Sequence, residues 1–209
     1  RWPSLFREPL MSSKLRKIGS ELLILASVIV FSLAARSVIA DHYYIPSESM
    51  EYSLLVGDRV LVDKRVYGLR LPFTNIEVLE GRSPERGEVV IFDSPESDVR
   101  LIKRVVAVEG DRVEVVDGKL FINGERLPAG TSVGHEIFGG RTALLNLEAG
   151  GGPDMKPKIV TEGAVMVMGD NRGNSRDSRA FGFISVDDVY GRAFRLYYRR
   201  GMGLSWSPL

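Results

Sequence analysis

The chain has 209 residues, is 44% hydrophobic and 26% charged, and carries a formal net charge of +1. That balance suits one globular domain with appendages and provides no general attraction to nucleic acid. There is no cysteine, and the only histidines are His42 and His135, which excludes thiol chemistry, disulfides, Cys-based zinc sites and a His-rich metal centre.

Residues 1–20 carry Arg1, Arg7, Lys14, Arg16 and Lys17 against the single acid Glu8. An uncharged run of 14 residues, 22–35, comes next. It is short for a membrane span by itself. Residues 18–40, with Glu21 and Arg36 near the ends, make a stretch of 23. At a rise of ~1.5 Å per residue, such a helix crosses a hydrocarbon core of ~30 Å. The basic flank puts residues 1–17 on the cytoplasmic side, 18–40 in the bilayer as a signal-anchor helix, and 41–209 on the far side. Two other readings compete with this one. One is a secretory signal cleaved at Val38-Ile39-Ala40, the other a buried helix of a soluble domain.

Beyond Met50 the pattern is β. Residues 58–67, 87–92 and 99–108 are compact and β-branched and read as strands. Residues 68–86, with Gly68, Pro72, Asn75, Gly81 and Pro84, read as loop. Residues 112–116, 119–122 and 125–127 are separated by Asp117-Gly118 and Asn123-Gly124. These are favoured dipeptides of two-residue hairpin turns and predict a three-stranded meander. Residues 128–160 are rich in Gly and Pro and read as a loop-rich insertion or lid. Residues 164–168 predict a short buried strand. The run 169–179 reads as too polar for a core and too rich in Asp, Asn and Gly for a helix. Residues 189–198 predict a last strand, and 199–209 a basic tail. The fold class is mainly β, an antiparallel sheet or barrel-like domain preceded by one transmembrane helix.

Three stretches bear on chemistry. Ser49, in Pro46-Ser47-Glu48-Ser49-Met50, is by itself far more readily a loop residue than a nucleophile, because a hydroxyl needs a base to take its proton. His42 is seven residues away, but its neighbours Tyr43 and Tyr44 suit a membrane interface. Strand alternation sets Lys103 on one face with Val99, Leu101, Val105 and Ala107, and Arg104 on the other. Apolar surroundings lower a lysine pKa and allow the amine to act as a base; the competing reading is an edge-strand lysine that reaches water. Asp170, Arg172, Asp177 and Arg179 form either a solvated turn or a network that presents Ser175.

Taken in order behind a basic-flanked apolar segment, residues 46–50, residues 101–111 (Leu-Ile-Lys-Arg-Val-Val-Ala-Val-Glu-Gly-Asp) and residues 169–179 (Gly-Asp-Asn-Arg-Gly-Asn-Ser-Arg-Asp-Ser-Arg) resemble bacterial type I signal peptidase, a membrane-anchored Ser-Lys protease. The likeness covers roughly residues 15–200. It implies that Ser49 is the nucleophile, Lys103 the general base, Ser47 an oxyanion donor and Ser175 the group orienting the lysine. Asp170, Arg172, Asp177 and Arg179 become the supporting network. It further implies exported preproteins as substrates, cut after small residues at −1 and −3, with pockets lined by Ile45, Met50, Leu54, Leu101 and Ile102. The bilayer is then a partner, and no cofactor, metal or nucleic acid is called for. Localisation follows as single-pass in the plasma (inner) membrane, with the catalytic domain on the outer or periplasmic side. A dedicated maturation protease for one exported substrate and an inactive membrane-tethered binding module are the alternatives. Two departures stand out. The family often continues Ser-Met-x-Pro-Thr-Leu where this chain has Ser49-Met50-Glu51-Tyr52-Ser53-Leu54, and it commonly has Asp at the position of Gly173.

Overall fold

The computed structural model describes residues 17–29, 40–70, 77–79, 81–127 and 134–209. Residues 17–29 form a helix, α1, whose side chains, Ile18, Leu22, Leu23 and Ile24 among them, are exposed. Among the described residues no helix is long and apolar enough to cross a membrane. Residues 30–39 of the expected span, with Val38 and Ile39 of the alternative cleavage motif, lie outside the described residues, as do residues 128–133 of the expected insertion.

Residues 40–209 form a compact unit of their own. Its first half runs through β1 (Ala40–Tyr44), β2 (Arg59–Asp63), β3 (Leu69–Arg70), β4 (Glu77–Leu79), β5 (Val89–Asp93), β6 (Arg100–Val108), β7 (Arg112–Val116) and β8 (Lys119–Ile122). The second half contains β9 (Glu125–Arg126), β10 (His135–Phe138), β11 (Arg141–Leu144), β12 (Met155–Ile159), β13 (Ala164–Met168), the short helix α2 (Ser178–Phe181), β14 (Ile184–Ser185), β15 (Val189–Arg199) and β16 (Gly203–Pro208). Every strand pair is antiparallel.

The main sheet has the order β1-β2-β15-β5-β6-β13-β14, with β16 on β15. Its hydrogen-bonded path begins at β1 and ends at β14, so the barrel-like expectation gives way to an open sheet. The centre is covered on both faces. Along β5, Val89 and Ile91 enter one apolar cluster with Ile45, Met50, Leu54 and Ile102, whereas Val90 and Phe92 enter another with Val105, Val165 and Val167. This is the period-two alternation of a strand with core on each side. It explains why the apolar runs of β5 and β13 have almost no polar interruption.

The meander β7-β8-β9 forms as expected. Asp117 and Gly118, then Asn123 and Gly124, all take positive φ (49°, 70°, 56° and 87°), the backbone of a type I′ turn. β12 adds to the free edge of β7. Three expectations are corrected. Residues 68–86 hold the hairpin β3-β4. Residues 128–160 hold the hairpin β10-β11 and the strand β12, so they are not simply loop. The expected tail holds the strand β16, on which Leu204 and Trp206 are exposed. Having no core face, it gave no burial pattern to read.

Candidate active site

Lys103 stands mid-strand in β6, opposite Val90 of β5, and is only 3% exposed. That position rules out an edge-strand lysine reaching water. Loss of hydration pushes its ammonium pKa down to about 8, with the Asp177 and Asp170 carboxylates opposing the shift. Its Nζ donates to Ser49 Oγ at 2.7 Å and to the Ile102 carbonyl at 3.1 Å.

Ser49 belongs to a single turn of 3-10 helix, Glu48–Met50, inside the long loop between β1 and β2. The loop is closed at its base by Ile45 N–H to Asp58 O and Gly57 N–H to Ile45 O, each 3.0 Å. Met50 and Leu54 anchor it in the core, and Ser49 itself is 7% exposed. The Ser47 and Ser49 hydroxyls are 3.2 Å apart, and Ser47 is exposed. The hydroxyl of Ser49 therefore meets Lys103 and Ser47, and neither histidine hydrogen-bonds to it among the described contacts.

Of the two readings of the third stretch, the structure shows a largely buried polar network and not a solvated turn. Asp170, Asn171, Arg172, Asp177 and Ser178 are all buried. Burial of so many polar groups is tolerated because they are paired. Arg104 donates to both Asp170 oxygens (3.0 and 2.7 Å), and Arg179 donates to both Asp177 oxygens (2.8 Å each). Desolvation alone would push the Asp177 carboxyl up. Arg179 and the Gly169 N–H outweigh it, and the net pKa is lowered. Arg172 bonds Glu136 with two nitrogens and reaches the Gly118 and Gly169 carbonyls.

Ser175 arrives beside the site without a hydrogen bond to the lysine. Its buried Oγ has no hydrogen-bond partner. It lies near enough to Asp177 to contribute to that carboxyl's lowered pKa, but outside hydrogen-bond geometry. Between Ser175 and Ser49 sits Gly169, where an added Cβ would fall 2.2 Å from Ser175 Oγ and 2.4 Å from the Ser49 carbonyl oxygen. Only glycine allows this approach. The expected pocket residues are corrected in part. Ile45, Met50, Leu54 and Ile102 pack into the core and present almost no surface to a ligand. Leu101 alone is partly exposed.

Several contributors were not singled out from sequence. Arg104 is one, although an arginine in an apolar strand signals a buried carboxylate partner. Glu136, Asn146 and Asn171 are others, hidden in stretches without periodicity. Both departures from the family pattern meet the segment 144–149. Tyr52 takes φ 77°, which proline cannot adopt. A Cβ on Gly173 would lie 2.2 Å from the Ala149 carbonyl oxygen, so no aspartate fits.

Comparison with known proteins places the chain among relatives. A family model described as signal peptidase, peptidase S26, matches residues 18–198. Signal peptidase I of Pseudomonas fluorescens is 35% identical over 202 residues, covering 81% of this chain and 69% of the relative. Signal peptidase I of Aquifex aeolicus is 32% identical over 218 residues, covering 82% and 80%. Thylakoidal processing peptidase 1 of Arabidopsis thaliana is 36% identical over 172 residues, covering 82% and 46%. A crystal structure of a signal peptidase I from Enterococcus faecalis is 32% identical, covers 53% of this chain and 97% of that one, and superposes with a TM-score of 0.38.

Proposed function

Because the chain belongs to the signal peptidase family, peptidase S26, we propose that it cuts signal peptides from exported preproteins with a Ser49–Lys103 dyad. The observation that carries the dyad is the 2.7 Å contact between Lys103 Nζ and Ser49 Oγ in a desolvated pocket. Neutral Lys103 takes the Ser49 proton as Oγ bonds to the scissile carbonyl carbon. The oxyanion rests on the Ser49 N–H and the Ser47 hydroxyl. Collapse breaks the C–N bond, and the lysine ammonium protonates the leaving amine. Lys103 then deprotonates the water that releases the acyl group, which restores Ser49. Ser175 and the pairs Arg104–Asp170 and Arg179–Asp177 hold the lysine's surroundings fixed. Cleavage follows small side chains at −1 and −3.

Residues 18–40 anchor the chain in the membrane in this reading, with 41–209 on the outer side. The exposed apolar side chains of α1 support it. So do Met202, exposed in the turn before β16, and Leu204 and Trp206, exposed on β16 with Arg195 stacked on Trp206, a mixture suited to a lipid interface.

The test is incubation with a panel of preproteins and N-terminal sequencing of the products. The parent chain releases mature N-termini after small residues, and Ser49→Ala releases none. Cleavage of one preprotein alone would replace this reading with a dedicated maturation protease, and no cleavage at all with a binding module. Ser47→Ala should lower kcat by about 10²–10³-fold, the loss expected for one oxyanion donor. Full activity in that variant would remove Ser47 from the mechanism.

A further inference from the structure

The nucleophile loop is tied to the rest of the domain at a point the catalytic reading does not use. The Ser49 carbonyl accepts the Asn171 N–H at 3.0 Å. Two residues on, a single carboxylate oxygen of Glu51 accepts both Asn146 Nδ2 at 3.0 Å and Asn171 Nδ2 at 3.1 Å. The two asparagines come from separate segments joined in a parallel bridge, with Asn146 N–H to Asp170 O at 2.9 Å and Arg172 N–H to Asn146 O at 3.0 Å. Both are buried. Asn171 thus holds the nucleophile's backbone with its N–H and Glu51 with its side chain. Turning that amide over would set Oδ1 against the Glu51 carboxylate, so Glu51 also fixes the amide's orientation.

The next two residues extend the tie. Tyr52, at φ 77°, donates its hydroxyl to Glu148. Ser53 donates to the Leu144 carbonyl at 3.3 Å and receives Arg199 on its own carbonyl at 3.0 Å. A left-handed backbone is unfavourable for a residue with a Cβ, so these bonds hold a conformation the loop would otherwise leave.

Resting on the Ser49–Lys103 reading above, we infer that Glu51 is a positioning residue that clamps the nucleophile loop to Asn146 and Asn171 and so sets Ser49 Oγ at the lysine. The clamp needs an oxygen at this position that accepts two N–H groups, and the charge is secondary. Glu51 touches neither substrate nor reacting atoms in this role.

Steady-state cleavage of one preprotein by the parent, Ser49→Ala, Glu51→Ala, Glu51→Gln and Glu51→Ala/Asn171→Ala tests it, with melting curves for each. Glu51→Ala should lose about 10²-fold in kcat, the order expected for a misplacement near 1 Å, with KM changed by less than about threefold. Glu51→Gln should recover most of the loss, since its amide oxygen accepts the same two N–H groups. The double variant should be no worse than Glu51→Ala alone, because the Asn171 side chain bonds Glu51 and its Oδ1 has no partner, so both changes remove one interaction. A parent-like kcat in Glu51→Ala, with Ser49→Ala dead, would overturn the inference. Equal damage in Glu51→Gln and Glu51→Ala would do the same. An active Ser49→Ala would sink the dyad instead. If Glu51→Ala is unfolded at the assay temperature, Glu51→Asp decides the matter. It keeps the charge, withdraws it by one methylene, and should show the same kcat loss; parent-like kcat overturns the clamp.

Discussion

Lys103→Met will abolish preprotein cleavage and leave the domain at least as stable as the parent. The two side chains are similar in length, and the site is closed to water, with Lys103 3% exposed. Activity falls because the base is gone. A general base is worth about 10²–10⁴-fold, and members of a unit acting together cost more. Stability behaves differently because the lysine pKa is lowered to about 8 in the fold by desolvation. An unfolded chain holds the proton up to a pKa of about 10.4. Between those two values the unfolded state binds more protons, so stability of the parent rises with pH across that window. Below it, the buried ammonium costs on the order of 3 kcal/mol relative to an unshifted lysine. The methionine variant has no such slope, and denaturant melts at pH 7 and pH 10 will show it. The rate has the matching signature. In the parent, kcat/KM should climb with pH to a plateau above about 8, and two units lower only about 1% of the lysine is neutral. A flat pH profile, or substantial cleavage by Lys103→Met, would remove Lys103 as the base.

The lysine also shows how far the sequence could be read. Alternation along residues 99–108 was enough to place Lys103 among apolar neighbours, because a strand has only two faces. What alternation does not carry is whether the second face is also covered, and that alone separates a buried base from a lysine reaching water. Asp117-Gly118 and Asn123-Gly124 were legible for a similar reason, since few residues accept that backbone. The run 169–179 left two readings open, a solvated turn and a network that presents Ser175. Its polarity reads as surface, yet it lies in the core because Arg104, Arg179 and Glu136 neutralise it, and two of those partners are tens of residues away in sequence. The segment 144–149 was opaque because its part is played by backbone groups and single amides, such as the Ala149 carbonyl against Gly173 and Asn146 on Glu51. Ile45, Met50 and Leu54 were expected to line substrate pockets. They are the anchors by which the nucleophile loop enters the core.

Glu136→Leu should be among the most destabilising changes in the domain. Its partner Arg172 is fully buried. Arg172 Nη1 donates to Glu136 at 3.0 Å and to the Gly118 carbonyl at 2.8 Å, and Nε donates to the Gly169 carbonyl at 3.2 Å. One guanidinium thus joins the catalytic stretch to the β7-β8 turn and to β10. Removing the carboxylate leaves a cation in the core with carbonyls alone, a loss of about 3–5 kcal/mol. For a domain of this size that lowers Tm by on the order of 10 °C. Replacing both partners, Glu136→Leu with Arg172→Met, should recover part of the loss, because the uncompensated charge leaves with the arginine. Recovery should stay incomplete, since the Gly118 and Gly169 carbonyls then lack their donor. Thermal melts of the parent, the single and the double variants measure this directly. A Tm within about 2 °C of the parent for Glu136→Leu, or a double variant less stable than the single, would show that the pair is not what holds these three elements together. The pairing also accounts for the position of Arg172 in a stretch so close to the nucleophile. Its backbone N–H holds Asn146, which in turn reaches Glu51. Loss of Glu136 should therefore lower cleavage at temperatures where the domain is still folded, because the same arginine that stabilises the core also seats the segment against which Ser49 is set.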